Sequence, residues 1–234
     1  YARVITRLGP VQTVRLWREF RLLVAYHEAG HAIVARSLGV RVDYLSIRPD
    51  AARRAAGYVI ARYSSRLLVA IAEGWLKRHS DGPEDSQGWH ATNPDLEGEV
   101  EARLQIALAG AVAEEIKVGQ WFPDGARSDL RNFHVYVQGF YSKGEGFVPG
   151  STMMTFRACH WRKCQILLGR VEAWAWVERV VAAALKRSVL TGDEIDALRP
   201  PDPPDPKGGA VVPPPWSDGS EVEVAAQRPL ARAA

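Results

Sequence analysis

Two histidines four residues apart, with a glutamate directly after the first, are the residues of this sequence best suited to chemistry. The run is His27-Glu28-Ala29-Gly30-His31. Residues four apart share one face of a helix, so both imidazoles can reach one metal ion, and Glu28 can act as general base for a water that the ion activates. A carboxylate beside a buried stripe is costly unless it is paired or metal-linked. This pattern therefore favours a zinc site over two structural core histidines.

Two imidazoles do not complete a catalytic zinc site, which usually has three protein ligands and one open position. The metzincin class would require a glycine at position 34 and a histidine at position 37. Val34 and Ser37 stand there, so that class is excluded. The remaining candidates for the third ligand are Glu114, Glu115, Asp129, His79, His90, His134 and His160. The histidines among them lie in polar contexts, where solvated or capping roles are more frequent than metal binding.

The three acids differ in whether the helix dipole stabilises them at their predicted positions. Asp129 falls in the first turn of a predicted helix, where the helix dipole stabilises an acid without any metal. Glu114 and Glu115 lie at the C-terminal end of another predicted helix, where the dipole disfavours acids. A bond from Glu114 to the second nitrogen of a ligand histidine would compensate for that cost and orient the ring. From the residues alone, both Asp129 and Glu114 remain candidates.

The histidines belong to a predicted amphipathic helix that ends at Gly39. Its apolar stripe comprises Leu16, Phe20, Leu23, His27, His31, Val34 and Leu38. Two β-rich runs, 42–48 and 57–62, follow and predict a strand pair joined by a basic loop. A free strand edge there could bind an extended peptide by strand addition.

Helical patterns dominate the rest of the chain. They predict helices over 64–78, over 100–117, from near Ser128, and as one long packed helix from Leu167 to Leu185. Gly- and Pro-rich composition predicts loops over 79–98 and 144–150. The fold class is therefore mainly α: a helical domain with a small strand pair after the histidine helix.

Composition narrows the class of protein further. The chain has 234 residues, 47% of them hydrophobic, and a net charge of +3, which gives no nucleic-acid footprint. No apolar run approaches the roughly 18 residues of a membrane span. Cys159 and Cys164 lie five apart in a helical pattern, too far for a disulfide, and two thiols without a framework predict a reducing, cytoplasmic location. Most of the 15 prolines lie from Pro200 onward, which predicts a disordered tail over 200–234.

Four sequence blocks resemble the peptidase domain of the FtsH family of AAA+ zinc proteases. They are AYHEAGHAIVA at 25–35, ALAGAVAEEIKVG at 107–119, GARSDL at 125–130 and LTGDEIDAL at 190–198. The resemblance implies a helical zinc-peptidase domain over 26–199. Before it, residues 1–25 carry five Arg against one Glu, which predicts a basic helical lead-in. It also implies zinc ligands His27, His31 and Asp129, with Glu28 as the base. Asp129 would then bind the metal and Glu114 would support a ligand histidine.

The sequence departs from that family near Asp129 and in the ATPase module. The family's threonine-rich run before the aspartate is reduced to DGARSD, and the bulky Phe133 follows where a small residue is expected. No Gly-Lys dipeptide occurs, so the chain has no Walker A loop. We therefore expect an ATP-independent zinc metallopeptidase for extended or unfolded polypeptides, served by a separate unfoldase or ATPase. The alternative is a non-catalytic protein-binding module with a structural zinc site. The sequence does not fix the oligomeric state.

Overall fold

The computed structural model describes residues 10–67, 96–141, 149–201 and 221–225, with side chains from residue 16 onward and backbone alone in the last range. Several predictions fall on segments outside these ranges. They concern the N-terminal part of the lead-in, the predicted helix beyond residue 67, most of the loop over 79–98 with His79 and His90, most of the loop over 144–150, and most of the tail over 200–234.

The described residues form six complete helices and four strands, and residues 65–67 are also helical. In chain order these are α1 (Pro10–Ser37), β1 (Arg41–Ser46), β2 (Tyr58–Ser64), α2 (Glu97–Val118), α3 (Arg127–Tyr141), α4 (Gly150–Leu168), α5 (Val171–Arg187), β3 (Val189–Thr191), α6 (Gly192–Ala197) and β4 (Glu221–Ala225). The mainly α class is confirmed, and so is the strand pair after the histidine helix. None of the helices in these ranges combines the length and hydropathy needed to cross a bilayer.

Helix α1 carries the histidine motif and forms the centre of the domain. It runs without a break across the predicted boundary between residues 25 and 26, and the chain turns at Gly39 with a φ of 79°. The helix is buried from Ala25 to Ala35, whereas Leu16 in its N-terminal part is exposed. The predicted apolar stripe is therefore buried around the histidine motif and exposed at Leu16.

Close approach between α1 and α2 depends on a glycine inside the motif. A Cβ on Gly30 would lie 2.5 Å from the carbonyl oxygen of Ala109 and 2.6 Å from the Cβ of Ala113. Small residues on both helices therefore allow the two backbones to approach each other. On another side of α1, the ring of Tyr26 stacks on Trp174 of α5 at 5.8 Å between centroids. These two contacts hold the histidine turn between neighbouring helices.

The sheet is antiparallel throughout, in the order β3-β1-β2-β4. The register of β1 against β2 shifts between Val42 and Tyr44, and the carboxylate of Asp43 there accepts a 2.8 Å hydrogen bond from Arg62 Nε. A Cβ on Gly192 would lie 1.9 Å from the carbonyl oxygen of Val42, so only a glycine allows α6 to begin against β1.

Three features of the fold differ from the sequence predictions. The pattern from Leu167 to Leu185 is two helices, because α4 ends at Leu168 and α5 begins at Val171. Residues 221–225 lie in the segment predicted to be disordered, yet they form β4, whose sequence alternates acidic and apolar residues as strands do. Since β3 covers β1 and β4 covers β2, the strand pair has no free edge in the described structure.

Cys159 and Cys164 both lie on α4 and are free thiols, as their spacing predicts. Cys164 is buried, and its sulfur donates to the carbonyl oxygen of Gln105 at 3.2 Å. The two cysteines therefore contribute no crosslink, and the domain is held together by its apolar core.

Candidate metal centre

Three helices bring the candidate residues together. Helix α1 supplies His27, Glu28 and His31, the first turn of α3 supplies Asp129, and α2 supplies Glu114. All five side chains are buried, with residue exposures of 4–8%. Such burial of ionisable groups is costly unless they neutralise one another or hold an ion.

The Nδ1 atom of each imidazole is in a hydrogen bond, and this bond fixes the tautomer of the ring. His27 Nδ1 lies 3.0 Å from Oε1 of Glu114, and His31 Nδ1 lies 2.6 Å from the carbonyl oxygen of Ile106. Both partners are acceptors, so each Nδ1 carries the proton and donates it. In the neutral ring the Nε2 atom therefore presents a lone pair.

Three electron-pair donors then converge on one point. His27 Nε2 lies 2.9 Å from Oδ2 of Asp129 and 3.0 Å from His31 Nε2, and His31 Nε2 lies 3.4 Å from the same Oδ2. Three acceptors at these separations repel one another unless a proton or a cation lies among them. Atoms bound to tetrahedral zinc at about 2.0–2.1 Å are separated by roughly 3.3 Å. The donor types and separations therefore fit a zinc ion.

The protonation equilibria show the same demand for positive charge. Burial lowers the pKa of His27, but the contacts with Asp129 and Glu114 outweigh it and hold that pKa well above the usual value. Burial raises the pKa of Asp129, yet the charges and hydrogen bonds of both histidines reverse the shift and keep it well below its usual range. The pKa shifts of His27 and Asp129 therefore both favour a positive charge among these donor atoms.

Glu28 lies beside this group without joining it. Burial raises the pKa of Glu28 to about 7, against the opposing effect of the two histidines. Gly57, just before β2, packs against the side chain of Glu28, since a Cβ at this position would lie 2.8 Å from Cγ of Glu28. A carboxylate with a pKa near neutrality is suited to accept and return a proton at pH 7.

Glu114 supports the site from behind. Its Oε1 accepts from His27 Nδ1, and its Oε2 accepts from the backbone N–H of Phe122 at 2.9 Å. The carboxylate thus ties the ring of His27 to the turn that leads into α3, the helix of Asp129. Glu114 therefore contacts both the ring of His27 and the segment that precedes Asp129.

The other candidates for the third ligand within the described ranges lie away from the two Nε2 atoms. Glu115 accepts from Trp161 Nε1 at 2.7 Å, and His134 is exposed on α3. His160 is buried between the carbonyl oxygen of Phe156 and the carboxylate of Glu101. The ring of Phe133, the residue that departs from the family pattern, is fully buried with its centroid 5.9 Å from that of His160. It therefore fills core space without displacing Asp129.

Two contributors to the site escape sequence reasoning. The carbonyl of Ile106 positions His31, but a backbone acceptor carries no residue-type signal. Gly110 faces both imidazoles, since a Cβ there would lie 2.5 Å from Nε2 of each histidine. The sequence could have indicated Gly110, because an isolated glycine inside a helical pattern points to a packing or functional requirement.

We expect Gly110→Ala to weaken zinc binding and to lower any hydrolytic rate by about 10²-fold, because the methyl group would push both imidazoles off their positions. Alanine favours a helix by about 1 kcal/mol over glycine, so the loss would not come from a weaker helix. Zinc affinity, measured by competition with a chromophoric chelator, checks this. Gly150→Ala on α4 is the matched control, since its Cβ would have no neighbour within 4 Å. Equal affinity for both variants would contradict the geometry.

Comparison with known proteins finds a similarity to a zinc protease over part of the chain. No protein-family model matches. Among curated proteins, the ATP-dependent zinc metalloprotease FtsH of Ruminiclostridium cellulolyticum is 30% identical over 139 residues, which is 58% of this chain. The chain spans only 18% of that relative's length. The chain is thus similar in part to an FtsH protease, and it brings together His27, His31 and Asp129 as a group that could hold a metal ion.

Proposed function

We propose that this chain is a zinc metallopeptidase that hydrolyses peptide bonds in extended or unfolded polypeptides. The observation that carries the proposal is the convergence of His27 Nε2, His31 Nε2 and Asp129 Oδ2 within 3.4 Å, with Glu28 alongside. Three protein donors leave one of four tetrahedral positions open, which is the arrangement of catalytic rather than structural zinc sites.

In this proposal each residue has a defined task. His27, His31 and Asp129 would hold a zinc ion, which would supply Lewis acidity toward the peptide carbonyl and a water. Glu28 takes the proton of the attacking water and returns it to the leaving amine. Glu114 and the Ile106 carbonyl hold the two rings so that their Nε2 atoms stay directed at one point.

The alternative is a protein-binding module that keeps zinc only as a structural element. Such a site would have no use for Glu28, a buried carboxylate whose pKa is raised to about 7. It would also usually close the fourth position with a protein ligand. The similarity to an FtsH protease adds support for the enzyme.

Purified chain reconstituted with zinc should digest casein or an unfolded peptide, lose this activity in a metal chelator, and regain it when zinc is added back. ATP should have no effect on the isolated chain, because its sequence has no Gly-Lys dipeptide and hence no Walker A loop. Folded substrates should require a separate unfoldase. Peptide products resolved by mass spectrometry are the measurement. Activity that survives complete removal of zinc would contradict the proposal.

A bound peptide strand would compete with β4 for the edge of β2. The register places Ile60 opposite Ala225 and Ser64 opposite Glu221, so the backbone groups that an added strand needs are already used. We expect deletion of residues 221–225 to strengthen binding of an unfolded labelled peptide by severalfold, read by fluorescence anisotropy in a Glu28→Gln background. Deletion of residues 208–212 is the length-matched control. Identical affinities for the two deletions would show that β4 does not restrict this edge.

A further inference from the structure

A buried histidine outside the metal centre has both ring nitrogens directed at acceptors. His160 lies on α4 and is 2% exposed. Its Nδ1 lies 2.7 Å from the carbonyl oxygen of Phe156, and its Nε2 lies 3.1 Å from Oε1 of Glu101 on α2. A carbonyl oxygen and an ionised carboxylate can only accept. The two bonds therefore form together only when His160 carries a proton on each nitrogen and is an imidazolium.

The surroundings of Glu101 keep its carboxylate ionised. Nζ of Lys163 donates to Oε2, and the hydroxyl of Tyr141 donates to Oε1 at 3.1 Å. The hydrogen bond from His160 is the main reason that the pKa of Glu101 is lowered to about 2, and Lys163 adds to the decrease against the effect of burial. Burial raises the pKa of Tyr141 and raises that of Cys164, one turn after His160, to about 12. Tyr141 and Cys164 thus stay neutral near pH 7, and the charge balance around Glu101 depends on His160.

The ring of His160 also packs against α3, the helix of Asp129. Its centroid lies 5.9 Å from that of Phe133 with an interplanar angle of 67°, so the two rings meet edge to face. Phe133 is fully buried and follows Asp129 by four residues, about one turn along the same face of α3. At the other end of α3, Tyr141 donates to Glu101. The pair of His160 and Glu101 therefore contacts α3 at two points, one of them a single turn from a candidate metal ligand.

We propose that His160, as an imidazolium, is a positioning residue that keeps Asp129 beside the two Nε2 atoms of the metal centre by holding Phe133 in place. The inference rests on the proposed function, because it needs Asp129 as a zinc ligand, and it makes zinc binding depend on a residue that does not touch the metal centre. When His160 loses a proton, one of its nitrogens faces an acceptor with a lone pair in either tautomer. One bond must then break, the ring shifts against Phe133, and zinc binding weakens as the pH rises.

The pH dependence of zinc affinity separates this role from a purely structural one. His160→Gln keeps an N–H donor for Glu101 but carries no charge at any pH. Zinc sites generally bind more tightly as the pH rises because their ligands lose protons, so the quantity to follow is the ratio of wild-type to variant affinity. Competition with a chromophoric chelator should show this ratio falling by about tenfold between about pH 6 and pH 9. His134→Gln is the matched control, because His134 is exposed on α3 and its ratio should stay constant.

A second measurement keeps the inference testable if His160→Gln misfolds. Long-range proton–nitrogen NMR spectra of zinc-loaded, histidine-labelled Glu28→Gln protein report the protonation of each ring, and this background removes a carboxylate that itself titrates near pH 7. We expect His160 to be doubly protonated at about pH 6, and its deprotonation to move the backbone amide resonance of Asp129 with the same midpoint.

A constant affinity ratio, a neutral His160 ring at about pH 6, or an Asp129 resonance that ignores the titration would each overturn the inference. Failure of the proposed metal site has a different signature. Asp129→Ala would then bind zinc as tightly as the wild type, whereas failure of the inference alone leaves the loss of zinc in Asp129→Ala intact.

Discussion

Glu28→Gln is expected to keep its zinc and to lose nearly all hydrolysis. The amide has the size of the carboxylate, so the donors of His27, His31 and Asp129 stay in place. It cannot accept a proton, however, and the loss of a general base lowers rates by about 10²–10⁴-fold. Zinc per chain and the rate of peptide cleavage, measured on one preparation, check both halves of this expectation.

Glu172→Gln is a suitable control, because that residue is exposed on α5 and the same chemical change there should alter neither quantity. A Glu28→Gln protein that cleaves peptides at the wild-type rate would show that Glu28 is not the base. Loss of zinc in that variant would show instead that Glu28 helps to hold the metal.

Asp129→Ala is expected to weaken zinc binding by more than about 100-fold and to abolish turnover, whereas Glu114→Gln should keep the metal with reduced activity. Asp129 Oδ2 lies next to both Nε2 atoms, while Glu114 contacts Nδ1 of His27 and the backbone N–H of Phe122. Loss of a group that only orients a ligand typically costs 10–100-fold in affinity or activity. Titration with a competing chelator ranks the two variants.

Asp124→Ala provides a control close to α3. Its carboxylate forms an exposed ion pair with Arg127, outside the buried group, and should be neutral for zinc binding. If Glu114→Gln lost more zinc affinity than Asp129→Ala, the two acids would have to exchange roles, and the assignment of the histidines would remain.

Much of the fold follows from local patterns in the sequence. The spacing of apolar residues around His27 and His31 gives α1, and β-branched residues bounded by glycine and proline give β1 and β2. The break at Gly169 is less visible, because apolar residues continue at helical spacing on both sides of it. The pairing of β4 with β2 depends on contacts far apart in the chain, which a local pattern does not contain.

Some residues of the candidate site likewise follow from a local pattern, and others depend on how the helices pack. The two histidines and Glu28 follow from a five-residue motif on one helix. The place of Asp129 depends on how α3 packs beside α1, so residue chemistry alone left it in competition with Glu114. The structure brings Asp129 to the Nε2 atoms and Glu114 to Nδ1 of His27. The backbone acceptor at Ile106 emerges only in three dimensions.

The proposed coordination of zinc by His27, His31 and Asp129 is tested most directly by zinc X-ray absorption on the reconstituted protein. The expected spectrum has nitrogen and oxygen neighbours at about 2.0–2.2 Å, with outer scattering from two imidazole rings. His31→Ala should reduce that outer scattering to one ring. Sulfur neighbours at about 2.3 Å, or an imidazole signal unchanged in His31→Ala, would contradict the assignment.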